Sequence, residues 1–111
     1  MDLGDIKYLE APAKVMKLSE AIRIGCLYIE ERQLFSGCAI GTAYMHLTGR
    51  DLSDDMMEAL MKDGYDAYDG PAIVAKAFGI PKHPVLAASN HHYAGRKTRL
   101  QCADWLESQG F

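Results

Sequence analysis

The sequence lacks any long apolar run of the kind that crosses a membrane. An uncharged stretch runs from Leu34 up to Arg50, but its Ser, Gly, Thr and His residues distinguish it from a membrane span. The opening residues MDLGDIKYLE are acidic and lack the apolar core of a signal peptide. We therefore expect a cytoplasmic protein with no membrane partner.

Cysteine is scarce, which limits the covalent and metal chemistry open to the chain. The three cysteines, Cys26, Cys38 and Cys102, are odd in number and have no C-x-x-C spacing. This pattern argues against a disulfide framework, and the histidines do not complete a zinc-site spacing with the cysteines. We expect reduced, buried thiols, no metal site and no cofactor.

Acidic residues are absent between Gly70 and Ala103, although the whole chain has a formal net charge of -3. Residues 71–99, here named the basic segment, contain five cationic residues: Lys76, Lys82, Arg96, Lys97 and Arg99. Residues 51–69, the acidic segment, contain seven acids and one base, Lys62. Such a segregated charge favours a partner of opposite charge for each segment.

Hydrophobic residues make up 49% of the 111 residues, a composition typical of one soluble globular domain. Their spacing is helical nearly throughout, and no segment alternates with the period of a strand. The sequence therefore predicts an all-α fold, a compact bundle of about five to six short helices. Residues 1–15 are expected to form an irregular lead-in, and residues 16–111 a single helical domain.

Capping residues, prolines and glycines set the expected helix boundaries. The predicted helices are Ser19 to about Arg32, Cys38 to about Thr48, Ser53 to Gly64, Pro71 to Gly79, Pro84 to Gly95, and Thr98 to Gly110. Ser19 and Ser36 are predicted N-caps, and TRLQ at 98–101 fits a capping box.

Packing expectations follow from the same pattern. Gly41 within a helix costs about 1 kcal/mol relative to Ala, so it predicts close contact with another helix. The third helix is expected to present its apolar side to the core, and the tyrosines of the 65–70 loop to be anchored there. That apolar side consists of Met56, Met57, Leu60 and Met61.

Cys38 follows a Ser-Gly pair at the start of a predicted helix, where free N–H groups would stabilise a thiolate. His46, His91 or His92 could supply a base for a thiol-dependent enzyme or redox switch, and Asn90 or Asp104 could orient that base. No strand is predicted to carry that base, and free cysteines are often buried. We favour Cys38 as a small buried residue and a protein that is not an enzyme.

The basic segment also supports a nucleic-acid hypothesis. A helix ending at Gly79, a short turn and a second helix carrying Val85 have the spacing of a helix-turn-helix. Lys82, Arg96, Lys97 and Arg99 would then contact phosphates. Two prolines in and after the turn, Pro81 and Pro84, argue against this alternative.

Three stretches together resemble a group of small bacterial and phage proteins of unassigned function. They are MKLSEAIRIG at 16–25, CAIGTAY at 38–44, and Asn90 followed by TRLQCADWLESQG at 98–110. The group's pattern is K-L-S-E-A-I-R-x-G, then C-A-[IL]-G-A-A, then L-N-D-x-H-x-W-[ST]-R-E-x-I-A-D-W-[LV]-E. His91 and Cys102 replace its Asp and Ile. The resemblance implies a similar helix layout and no particular activity.

The favoured hypothesis is a non-enzymatic helical domain that acts through protein–protein contacts, with self-association as a homodimer as one form of this. The segregation of charge motivates it. Nucleic-acid binding through residues 71–99 and thiol chemistry at Cys38 stay open as alternatives.

Overall fold

In a computed structural model of the chain, residues 16–32 and 35–111 are described. These residues form six α-helices, one short 3-10 helix and no strand, which confirms the all-α prediction. In chain order the helices are α1 (Leu18–Gly25), α2 (Ala39–Thr48), α3 (Leu52–Asp63), α4 (Gly70–Phe78), α5 (Lys82–Tyr93) and α6 (Arg99–Ser108). The 3-10 helix, Tyr65–Ala67, joins α3 to α4. The predicted irregular lead-in, 1–15, lies outside the described residues.

Helix α2 is at the centre of the bundle and contacts each of the other five α-helices. It has no charged residue, and its first six residues, 39–44, are all buried. α1 packs mainly against α2 and α6, and α4 packs against α5. Because an uncharged helix has no polar face to present to solvent, surrounding it with the other helices is the arrangement that buries it.

Several predicted helix ends are confirmed. Gly49 and Gly79 adopt left-handed conformations at the C-termini of α2 and α4, with φ of 73° and 67°. The Ile80 N–H donates to the Ala75 carbonyl at 3.1 Å, the hydrogen bond of a Schellman motif. Thr98 and Gln101 form the predicted capping box. Pro84 lies in the first turn of α5, which begins two residues earlier than predicted, at Lys82.

The predictions for the first helix were wrong at both ends. α1 has Lys17 at its N-cap, and Ser19 is a buried helical residue. The helix ends at Gly25 instead of near Arg32. Beyond it Leu27 is 84% exposed, so the chain has no apolar face with which to continue a packed helix.

Ser36 does not cap α2. Its hydroxyl donates to Asp51 Oδ1 at 3.2 Å, and Cys38 is the N-cap, with its sulfur accepting from the Gly41 N–H at 3.4 Å. The close packing predicted at Gly41 is present, but the neighbour is the chain just before α2. A Cβ at this position would lie 1.6 Å from the Phe35 carbonyl oxygen.

Candidate functional site

Cys38 is fully buried, with 0% exposure. Burial raises the pKa of its thiol, and this effect outweighs the lowering by the Gly41 N–H and the Tyr93 hydroxyl. The thiol therefore stays protonated at neutral pH. This environment is typical of a structural cysteine, because a reactive thiol needs an accessible thiolate.

The candidate bases His46 and His91 contact other side chains. His46 is eight residues further along α2, about 12 Å along the helix axis, and its Nδ1 pairs with the Tyr28 hydroxyl at 2.6 Å. His91 lies on α5, with its ring centroid 4.7 Å from that of Trp105. The hydrogen bonds of Cys38 in the described residues involve no histidine, so these three residues do not form a catalytic group.

Two of the four cationic residues predicted to contact nucleic acid are engaged within the protein. Arg99 is 7% exposed, donates from Nη1 to Thr42 Oγ1 at 2.8 Å, and lies 3.5 Å from Glu31. Lys82 pairs with Asp69 at 2.5 Å. Arg96 and Lys97 remain exposed. The surface available to phosphates is therefore smaller than the sequence suggested.

Burial on α5 also bears on the helix-turn-helix alternative. Val85 and Ala88 face the core, as does His92. The exposed residues of α5 include Lys82, His83, Leu86 and Asn90. Only Lys82 among these is a permanent cation, and it is paired with Asp69. Nucleic-acid binding stays a prediction that now depends on Arg96 and Lys97.

The largest departure from the predicted packing is on α3. Met56 is buried as expected, but Met57 is 50% exposed and Met61 81% exposed. Four residues after Met61, Tyr65 is 88% exposed at the start of the 3-10 helix, contrary to the prediction that this tyrosine is anchored on the core. The reason is that α3 contacts its neighbours along a narrow stripe containing Leu52 and Met56.

These exposed side chains lie among acids. Residues three apart on a helix are neighbours, so the exposed Asp54 lies beside Met57 and the exposed Glu58 beside Met61. The exposed Asp66 follows Tyr65 in the chain. We name this surface the α3 face: Met57, Met61, Tyr65, Asp54, Glu58 and Asp66. In the described residues Asp54 and Asp66 have no ion pair, whereas Glu58 lies 3.4 Å from Arg50. The α3 face is therefore both apolar and negatively charged.

Asp55, next to this surface, belongs to a partly buried network that holds α2 and α3 together. It accepts from the Tyr44 hydroxyl at 2.5 Å and from Arg50 Nε at 2.7 Å. The Arg50 guanidinium is the main cause of a lowered pKa at Asp55. Burial, with the Asp55 contact, raises the pKa of Tyr44 to about 12. This network orients α3 but leaves its outer face uncovered.

The sequence did contain a signal for the α3 face. Met56 and Leu60 are four apart, and so are Met57 and Met61, so α3 has two adjacent apolar stripes. A short helix at the edge of a bundle buries one such stripe. Because residue type alone does not distinguish the two stripes, the sequence pattern predicts that both face the core.

Comparisons with known proteins found no match to this chain among family models, curated proteins or solved structures. Within residues 16–32 and 35–111, no helix combines the length and the hydropathy of a membrane span. In the same residues, no three His, Cys, Asp or Glu side chains are grouped as metal ligands would be.

Proposed function

We propose that this protein is a non-enzymatic interaction domain whose contact surface is the α3 face, and that its partner is a second copy of the chain. The exposure of Met57, Met61 and Tyr65 carries the proposal. Methionine and tyrosine are enriched at protein interfaces, and clustered exposed apolar side chains are uncommon on monomers. Methionine also adapts its shape to a partner surface.

Charge complementarity favours a second copy. The basic segment has three exposed cations with no ion pair in the described part of the chain: Lys76, Arg96 and Lys97. The same segment exposes Leu86 and Tyr93, which are 43% and 38% accessible. An acidic, apolar face on one copy thus matches a basic, partly apolar surface on another.

The experiment is light scattering during size exclusion over a range of protein concentrations. We expect the molar mass to rise with concentration, and to rise less in about 500 mM salt than in about 50 mM salt because salt screens the charge attraction. The double variant Met61→Ser, Tyr65→Ser should weaken association by about tenfold or more. Both side chains are exposed, so the variant should keep the fold.

Leu100→Ser is the matched control, because Leu100 is also exposed, at 52%, but lies on α6. It should leave association unchanged. A single-chain mass at every concentration and salt, or equal association of the α3 variant and the parent, contradicts the proposal.

A further inference from the structure

A second candidate site lies at the turn between α5 and α6. A cavity of about 620 Å³ opens there, lined by Glu31, His92, Tyr93, Arg96, Lys97 and Thr98. Its size is within the range of small-molecule sites, about 300–1,000 Å³. We name it the α5–α6 cavity.

The backbone of the turn fixes the position of its two cations. The Lys97 N–H donates to the His91 carbonyl at 2.9 Å, and Gly95 donates to Asn90 at 3.1 Å. Between them Arg96 has φ of 52°, the only non-glycine residue with positive φ in the described residues. Arg96 and Lys97 are therefore adjacent cations on a hydrogen-bonded turn, both lining the cavity.

Two buried polar atoms near the cavity have no hydrogen-bond partner in the described residues. In the described residues, three buried side-chain polar atoms lack a hydrogen-bond partner, and His92 Nδ1 and Arg99 Nε are two of them. His92 is 8% exposed and lines the cavity, and Arg99 Nε lies 3.5 Å from Oε1 of the lining residue Glu31. Both atoms are inaccessible to solvent, so the polar contacts open to a ligand in the cavity come from the exposed Arg96 and Lys97.

The charge of the lining selects an anion. Arg96 and Lys97 outnumber the one lining carboxylate, Glu31, which is already beside Arg99. A phosphate group has several acceptor oxygens and can engage a guanidinium and an ammonium together. The Tyr93 ring on the same wall gives an apolar surface to the organic part of a phosphate ester. A concave site with a buried floor suits a small ligand better than the convex backbone of a duplex.

We propose that the α5–α6 cavity binds a small phosphate-bearing ligand, with Arg96 and Lys97 contacting the phosphate and His92 forming the floor of the site. The proposal does not require self-association, although both proposals use Arg96 and Lys97. It is tested on the Met61→Ser, Tyr65→Ser background, so that a contact between copies does not occupy Arg96 and Lys97.

The measurement is a titration followed by amide NMR shifts at constant ionic strength, with inorganic phosphate and with AMP as probes. We expect saturable binding with the largest shifts at residues 92–99. Arg96→Gln, Lys97→Gln should weaken it by about tenfold or more. The control Lys17→Gln, Lys62→Gln removes the same charge from exposed lysines elsewhere and should bind as the parent does.

The two probes distinguish the sources of the phosphate. Equal affinity identifies free phosphate as sufficient, and tighter binding of AMP identifies a phosphate monoester. No saturable binding of either probe, or equal binding by the cavity variant and its parent, overturns the proposal. Binding of a short DNA duplex through Arg96 and Lys97, with no binding of either small probe, also overturns it and favours the nucleic-acid alternative.

Discussion

Cys38 illustrates how burial decides the chemistry of a single side chain. It has the sequence position of an activated thiol, at a helix N-terminus with a backbone N–H donating to its sulfur. Burial nevertheless raises its pKa, and its hydroxyl neighbour Tyr93 also has a raised pKa, with burial as the main cause. Burial likewise raises the pKa of Cys102 to about 11. The desolvation of the thiolate therefore outweighs the donors that would stabilise it.

We predict that Cys26 reacts first with a thiol probe in the native protein. It is partly exposed, whereas Cys38 and Cys102 are 0% and 1% exposed. Mass spectrometry of the labelled chain should show one fast site and two that react only on unfolding. Labelling in denaturant is the control and should reach all three. Modification of Cys38 as fast as Cys26 would instead support the thiol-enzyme alternative.

At the scale of elements, α2 is held by close contacts with its surroundings on two sides. Gly41 lies against the Phe35 backbone, and Gly25 of α1 lies against Thr42, where a Cβ would be 2.6 Å from the Thr42 methyl. Thr42 also donates to the Gly37 carbonyl and accepts from Arg99. The small residues of α2 therefore allow a loop, α1 and α6 to meet at one helix.

We predict that Gly41→Ala destabilises the protein by about 3 kcal/mol or more, because the added methyl would overlap a backbone carbonyl that has little freedom to move. Denaturant unfolding measures this. The control is Gly110→Ala, where a Cβ meets nothing within 4 Å and only the positive φ of 90° is unfavourable. It should cost about 1 kcal/mol. Similar losses for the two variants would show that the Phe35 contact relaxes.

At the scale of the whole molecule, some charged side chains form ion pairs that hold the helices together, and others are exposed on the surface. Asp55 and Asp69 have lowered pKa values, caused chiefly by Arg50 and by Lys82. Asp69 also caps α4 by accepting from the Ala72 N–H at 3.1 Å. Of the acids of the α3 face, Asp54 and Asp66 have no ion pair in the described residues, whereas Glu58 lies 3.4 Å from Arg50.

The lowered pKa values make stability depend on pH in a definite direction. An acid whose folded pKa is below its unfolded value stabilises the protein fully above the unfolded pKa, near 4. We therefore expect stability to fall as the pH is lowered from about pH 5 through the folded pKa values of Asp55 and Asp69. Chemical denaturation at a series of pH values measures this.

The Asp55→Asn variant tests whether Asp55 is responsible for the loss of stability at low pH. At neutral pH it should cost about 1 kcal/mol, since the partner Arg50 is largely solvated, and the loss of stability in acid should be shallower than in the parent. Asp54→Asn is the matched control, an exposed acid on the same helix with no ion pair in the described residues. If the Asp55→Asn variant lost stability in acid as steeply as the parent, Asp55 would not be a cause of the pH dependence.

The predictable parts of the fold are those in which the interacting groups are close in sequence. The Thr98–Gln101 capping box and the glycine ends of α2 and α4 depend on hydrogen bonds within one turn. The end of α1 and the role of Ser36 were predicted wrongly because they depend on distant residues. Ser36 pairs with Asp51, fifteen positions away.

The amino-acid sequence by itself determined the helical class, the buried central segment and the separation of acidic from basic residues, because periodicity and composition are properties of the chain. Tertiary structure alone decided which side chains are exposed on the surface and therefore available to a partner. Met56 and Met57 are adjacent and chemically identical, yet the first is buried and the second exposed. Arg96 and Arg99 differ in the same way. Availability depends on which neighbours pack against each side chain, and that is settled only when the helices assemble.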